Sequence, residues 1–381
     1  MKSAGGLDIG IVLSTLASSR GGLETTAAIL TRGLAARGHK ITLIAGKSPG
    51  RRLPEDLAEL PAQWLFAPHV ALSSPLVKAA RLSRGKAFRL STASFQAVCA
   101  LNLPIRDAIS RLSVTMTFLP RENAWFSRWR RRRHLAHVSY YPGGGLRWLA
   151  RDQSTIRLVN PSVAVREESN LRRYPAHGIL PSGVPPDWLR EEFEVRPTAN
   201  NLLFVGRLEA NKGVLELLYI FRALASNHPD LRLRIVGEGH LRSALEETAR
   251  RDGTIHRISF AGAVPQQAIR DEMRRSDLLL LPTHFENFPL TLLEASAVGL
   301  PYVASDIPGI RGMTHSAAKL VPLDTTAWQA RVRDLIANPT CRRIISDCGR
   351  SWAAQFSWDK AVDSAERYLL RAVAETSDRQ D

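Results

Sequence analysis

Cysteine is scarce in this sequence. Of 381 residues only Cys99, Cys341 and Cys348 are cysteines, and no two stand at metal-ligand spacing. That excludes a disulfide scaffold and a zinc ribbon, and it fits a reducing cytosol. Long apolar runs are missing as well. No stretch reaches 18 apolar residues, so no segment reads as a membrane-spanning helix. The opening MKSAGGLDIGIVLSTLASSRGG has an early Lys and an apolar stretch, as a signal peptide does. Asp8 interrupts that stretch, and a Gly-Gly with a helical pattern follows it, so the segment reads as a first strand. Nor is the composition extreme. At 44% apolar and 23% charged residues it is neither disordered nor fibrous. The length exceeds one compact core and suits two domains.

The first half is poor in acidic residues. Residues 1–190 hold 28 Lys and Arg against 11 Asp and Glu, whereas residues 191–381 hold 24 against 25. The whole excess of a chain with net charge +16 therefore sits in one half. A basic half implies an anionic partner: nucleic acid, a membrane surface, or an acidic or phosphorylated ligand. Between the halves, PSGVPPDWLREEFEVRPTANN (181–201) combines Pro185-Pro186 with Glu191, Glu192 and Glu194, which reads as a domain linker.

What is present is a strand–helix rhythm. Apolar runs of strand length occur at Leu202–Val205, Leu231–Val236, Ile258–Ala261, Leu278–Leu281 and Tyr302–Ala304. Helical patterns separate them, such as Val214, Leu217, Leu218 and Phe221 at i, i+3, i+4 and i+7. The first half begins likewise: a strand at Ile9–Leu13, a helix from Leu23 to Arg37, and a strand at Ile41–Ile44. From 46 to 130 the pattern is poor. A last amphipathic helix covers 358–374. This rhythm predicts an α/β fold of two doubly wound, Rossmann-like parallel-sheet domains facing a cleft. The expected division is 1–186 and 187–357, with 358–381 packing back on the first domain. Ligands of such sheets sit beyond the carboxyl ends of the strands, so the loops there carry the chemistry.

After the strand at 202–205 comes Gly206-Arg207-Leu208-Glu209-Ala210-Asn211-Lys212-Gly213. Gly206 permits a sharp turn. Arg207 and Lys212 flank a helix entry, whose N–H groups favour an anion. By itself the segment fits a diphosphate site and a pair of solvated charges equally well. After the strand at 278–281 comes HFENFPLTLLE (284–294), with Glu286 in the loop and Glu294 inside a helix. Pro289 suits the first helical turn, and the N–H groups of Leu290 and Thr291 are expected to point outward toward a phosphate. Carboxylates beside a diphosphate suit hydrogen bonds from sugar hydroxyls. Spacing alone slightly favours a plain reading, with one solvated Glu and one Glu near a helix start.

Together the two segments resemble the retaining glycosyltransferases of family four, which have the two-domain GT-B architecture. The resemblance is carried by Gly206-Arg207 followed by Lys212, by Glu286-x7-Glu294, and by Leu292-Leu293-Glu294-Ala295 with Gly299-Leu300-Pro301 after it. Val236-Gly237-Glu238-Gly239, Phe260-Ala261-Gly262-Ala263-Val264 and Ser305-Asp306 follow the pattern in order, as do Gly21-Gly22 and Ile179–Val184 in the first half. It extends strongly over 200–310 and moderately over 8–45 and 155–190. It implies that Arg207 and Lys212 bind the nucleotide diphosphate and neutralise the leaving group, so that no metal and no other cofactor is needed. It implies that Glu294 holds the ribose hydroxyls and Glu286 those of the donor sugar. The backbone at Phe288, Leu290 and Thr291 would contact sugar and phosphate, and that of Ala263 and Val264 the base. Gly206 and Gly22 would let the backbone approach the diphosphate. Such enzymes often place a His near the acceptor; the candidates are His134 and, preferred, His137. Ser182 stands where relatives often have Asn.

The resemblance also makes the basic half the acceptor half. Its densest segment runs Trp125-Phe126-Ser127-Arg128-Trp129-Arg130-Arg131-Arg132-Arg133. Aromatic rings beside Arg suit an anionic membrane surface, and a solvated basic helix face is the plainer reading. The expectation is a cytoplasmic enzyme, peripheral on the membrane, with a UDP- or GDP-sugar donor and a lipid-linked or anionic glycan acceptor. Two alternatives compete. A polyanion- or nucleic-acid-binding protein accounts for the basic charge but leaves the Arg–Lys and Glu–Glu constellation unexplained. A GT-B nucleotide-sugar epimerase shares the architecture but not usually that pairing.

Overall fold

The computed structural model describes residues 6–14, 22–47, 55–68, 94–95, 97–99, 101–118, 136–140, 157–160, 176–286 and 288–377. The chain forms two compact units. One comprises Met1–Pro181 with Trp358–Asp381, the other Ser182–Ser357.

The first unit holds strands β1 (Asp8–Leu13), β2 (Lys40–Lys47), β3 (Gln63–Pro68), β4 (Val114–Thr117), β5 (Ala136–Tyr140), β6 (Arg157–Asn160) and β7 (Ala176–Ile179). They form a parallel sheet in the order β3-β2-β1-β4-β5-β6-β7. A central parallel strand is covered on both faces and so reads as a continuous apolar run. β1 follows this rule, with Ile9, Ile11, Val12 and Leu13 all fully buried. β4 escapes it. Its sequence is Val-Thr-Met-Thr, and Thr115 and Thr117 are as buried as their apolar neighbours. Core positions filled by threonine hide this strand from an apolar count, and it lies in the stretch from 46 to 130 whose pattern is poor.

The helix Trp358–Ser377 belongs to this unit. Val362, Ala365, Leu369 and Ala372 join the core formed by β1, β2, β4 and the Gly22–Ala36 helix. The approach is close enough that a Cβ on Gly33 would lie 2.3 Å from Val362 Cγ2. At the rim Arg37 donates to Glu366 at 2.7 Å, and His39 Nε2 lies 2.9 Å from the same carboxylate. Among the described residues no helix is long and apolar enough to cross a membrane.

The second unit holds β8 (Asn201–Val205), β9 (Arg232–Val236), β10 (Ile258–Gly262), β11 (Leu278–Leu281) and β12 (Tyr302–Ala304). All pairs are parallel, in the order β10-β9-β8-β11-β12. The chain winds outward from β8 to β10 and returns to β11 on the other side of β8. The topological switch point therefore lies between the carboxyl ends of β8 and β11.

Residues 182–201 are not a free linker, and the division falls at 181/182 rather than 186/187. Val184 donates to the Phe356 carbonyl at 3.0 Å, and Trp188, in a short 3-10 helix at Pro186–Leu189, is almost wholly buried in the second core. Glu191 pairs with Arg270 at 2.6 Å and Arg274 at 2.7 Å. Burial of a large aromatic ring outweighs the flexibility that prolines and glutamates suggest in the sequence.

Candidate functional site

Two loops meet at the switch point and are stitched together by hydrogen bonds. The Asn211 carbonyl, after β8, accepts from Thr283 Oγ1 and from the His284 N–H, both at 3.0 Å, after β11. Thr283 is fully buried, and its hydroxyl also lies 3.1 Å from the Phe285 carbonyl. Gly213, at φ 66°, faces Pro282 so closely that a Cβ would lie 1.7 Å from its carbonyl oxygen. Only glycine fits there, on both conformational and steric grounds.

This stitching brings Lys212 to Glu286. Their Nζ and Oε1 lie 2.5 Å apart, with both side chains largely buried. The pair stands at the start of the Val214–Ala225 helix, where free N–H groups add positive potential. Arg207 is half exposed and 3.2 Å from Glu209 Oε1. His284 Nε2 lies 2.8 Å from Glu216 Oε1 on the same edge. On the far side, a Cβ on Gly309 would lie 1.7 Å from the Glu286 carbonyl oxygen, so the chain after β12 closes against the Glu286 backbone.

The loops after β9 and β10 join the same edge. Gly237 (φ 140°) sits so near the Gly206 carbonyl that a Cβ would come within 1.9 Å. Gly206 itself donates to the Val236 carbonyl at 3.0 Å. These glycines allow the Gly206–Gly213 and Val236–Gly239 segments to lie side by side.

Glu294 lies in the Leu290–Val298 helix and is only 4% exposed. Gln266 Nε2, from the first residue of the Gln266–Arg275 helix, donates to its Oε1 at 3.3 Å. Burial pushes the Glu294 carboxyl up to about 8, against a smaller opposing pull from that bond. Burial therefore favours the protonated carboxyl in the free protein.

One local expectation is corrected. Pro289 is the N-cap, with φ −77° and ψ 75°, and Leu290 N–H closes a tight turn onto the Phe288 carbonyl at 2.8 Å. That is inverse γ-turn geometry. The Leu290 N–H is thus already occupied and does not point outward. The Phe288 and Leu290 side chains are partly buried against the second core, as is that of Val264, and Thr291 lies on the same helix start.

The loops thus bring Gly206, Arg207, Lys212, Glu286 and the start of the Leu290–Val298 helix to one sheet edge. Gly22 is the exposed first residue of the Gly22–Ala36 helix in the other unit, and His137 lies on β5 in register with Thr115 of β4. Trp125, Trp129, Arg130, Arg131, Arg132 and Arg133 lie outside the described residues, as does His134. Sequence reasoning missed Thr283, Gln266 and the Lys212–Glu286 pairing. The only signal for Gln266 was its position directly after Val264 and Pro265.

Residues 188–352 match the family model described as Glycosyl transferases group 1. The chain is 31% identical over 195 residues to D-inositol 3-phosphate glycosyltransferase of Segniliparus rotundus, covering 49% of this chain and 43% of that relative, so it spans less than half the relative's length. Among solved structures it is similar to sucrose-phosphate synthase from Thermosynechococcus elongatus, at 17% identity and a TM-score of 0.75, over 97% of this chain and 100% of the other. It is also similar to Anabaena HepE in complex with UDP and glucose, at 12% identity and a TM-score of 0.72, over 96% and 100%. The fold is that of the two-domain GT-B glycosyltransferases, and the matched segment supports an enzyme of that class.

Proposed function

We propose that this chain is a retaining, metal-independent glycosyltransferase. It moves a sugar from a UDP- or GDP-linked donor to an acceptor on a lipid-linked or anionic glycan. The observation that carries the reading is the Lys212–Glu286 pair, 2.5 Å long and largely buried, at the topological switch point. In the free protein each charge serves as the other's partner. A donor diphosphate, entering against the helix start, takes Lys212 and Arg207 as its cations. Glu286 is then released to accept hydrogen bonds from hydroxyls of the sugar being transferred.

Glu294 accepts from the ribose hydroxyls. Its burial makes it a poor solitary anion and a strong acceptor once paired with hydroxyl donors. In the transfer step the bond from the anomeric carbon to the diphosphate oxygen breaks, and a bond to the acceptor oxygen forms on the same face. The acceptor proton passes to the departing diphosphate oxygen. The protein orients the partners, and Lys212 and Arg207 stabilise the charge that develops on the leaving group. The two cations provide the counter-charge for which other transferases use a divalent ion.

The acceptor side rests on sequence. The basic excess of residues 1–190 and the Trp125–Arg133 segment suit an anionic membrane surface from the cytoplasmic side. The deciding experiment is a thermal-shift screen with UDP, GDP and ADP, followed by donor hydrolysis with the stabilising nucleotide's sugars. The wild type gains several degrees with one nucleotide, and Lys212→Ala loses that gain. A Lys212→Ala protein that keeps both the shift and transfer would refute the reading.

A further inference from the structure

Gln266 is half-buried, opens its helix without serving as a side-chain cap, and reaches 28 residues along the chain to Glu294. It directly follows the Val264–Pro265 segment, so one amide links the loop after β10 to the helix after β11. We propose that Gln266 is a positioning residue of the nucleotide site, holding the Glu294 carboxyl in the rotamer that receives the ribose hydroxyls. The proposal rests on the donor reading above.

Three observations support it. First, Glu294 is buried, and a buried acceptor without a fixed partner is free to turn toward any donor its cavity offers; the Gln266 amide removes that freedom. Second, the charged groups on neighbouring elements are engaged elsewhere. Arg270 and Arg274 pair with Asp187 and Glu191, Glu272 pairs with Arg234, and Arg342 and Arg350 donate to backbone carbonyls. Asp271, Arg275, Arg343 and Asp347 are exposed. Among the described residues, the group that addresses the carboxyl is therefore a neutral amide. Third, a neutral donor favours the ionised carboxylate without neutralising it, as Lys or Arg would, so Glu294 keeps its capacity for two hydroxyl donors.

Isothermal titration across pH 6–9 tests this with wild type, Gln266→Ala and Gln266→Lys, using UDP, GDP and inorganic pyrophosphate as ligands. Pyrophosphate reaches the cations but has no ribose. Gln266→Ala should weaken the nucleoside diphosphate about tenfold, the scale of one hydrogen bond to a charged group, and leave pyrophosphate affinity unchanged. The pH at which nucleotide affinity rises should move upward in Gln266→Ala and downward in Gln266→Lys, because the first removes a donor to the carboxylate and the second adds a cation. Unchanged nucleotide affinity and pH profile in Gln266→Ala, or equal loss of nucleotide and pyrophosphate, overturns the role of Gln266. A wild type that binds pyrophosphate and no nucleoside diphosphate overturns the donor reading itself.

Discussion

Replacing Glu294 by Gln should make the free protein more stable, and by an amount that grows with pH. Glu294 is buried, and its carboxyl is pushed up to about 8 from an ordinary value of 4.5. A group whose folded value is raised contributes stability that is complete below 4.5 and is lost as pH rises through 8. The loss runs at about 1.4 kcal/mol per pH unit across that window, so about 3 kcal/mol is gone by pH 7 and about 5 kcal/mol above pH 8. Gln has nearly the shape of the protonated acid and can still pair with the Gln266 amide, but it never ionises. For a unit of this size about 1 kcal/mol corresponds to 2–4 °C in midpoint. The variant should therefore melt about 6–12 °C above wild type at pH 7, with a wider gap at pH 9 and near coincidence at pH 5. Calorimetry of the two proteins at those three pH values is sufficient, since every other titrating group is common to both. Curves that run parallel from pH 5 to 9 would show that Glu294 is not held in the low-dielectric setting on which the argument depends.

Four further outcomes are expected. Removal of either cation by Arg207→Ala or Lys212→Ala should cost about 1.5–3 kcal/mol in nucleoside diphosphate affinity and remove most transfer; full activity in both rejects the diphosphate site. Glu294→Ala should chiefly weaken the free nucleoside diphosphate, whereas Glu286→Ala should chiefly lower kcat, since its partner hydroxyls belong to the reacting sugar; titration and steady-state kinetics separate the two. Thr283→Val removes the hydroxyl that ties the β8 and β11 loops and should lower transfer about tenfold or more, while Thr283→Ser retains it; identical kinetics in both excludes the stitch as a support of the Lys212–Glu286 pair. The protein should sediment with anionic vesicles and not neutral ones, with binding that falls as salt rises, and Arg130–Arg133 changed to Ser should abolish it without altering nucleotide affinity; wild type left in the supernatant at low salt points to a soluble acceptor.

The sequence alone determined the strands of the second unit almost to the residue, because β8, β11 and β12 are nearly unbroken apolar runs buried along their length, while β9 and β10 keep enough apolar residues before Gly237 and up to Gly262 to stand out. Leu278–Leu281 and Tyr302–Ala304 are the plainest cases. It also placed Arg207, Lys212, Glu286 and Glu294 in the loops and helix starts beyond those strands, since a repeated strand–helix rhythm leaves functional side chains nowhere else to gather. It did not reveal β4, whose threonines occupy core positions, or the anchoring of residues 182–201, where Trp188 and Glu191 decide against the linker-like prolines. Nor could it pair Lys212 with Glu286, which lie 74 residues apart, or Gln266 with Glu294. Both partnerships are tertiary. β11 returns to lie beside β8 rather than beyond β10, which sets the Lys212 and Glu286 loops edge to edge, whereas packing of the Gln266–Arg275 helix on the Leu290–Val298 helix brings Gln266 to Glu294. The upward push on the Glu294 carboxyl is tertiary as well. Its neighbours in the sequence make it helical, but the unit packed around that helix removes the water that would keep it charged.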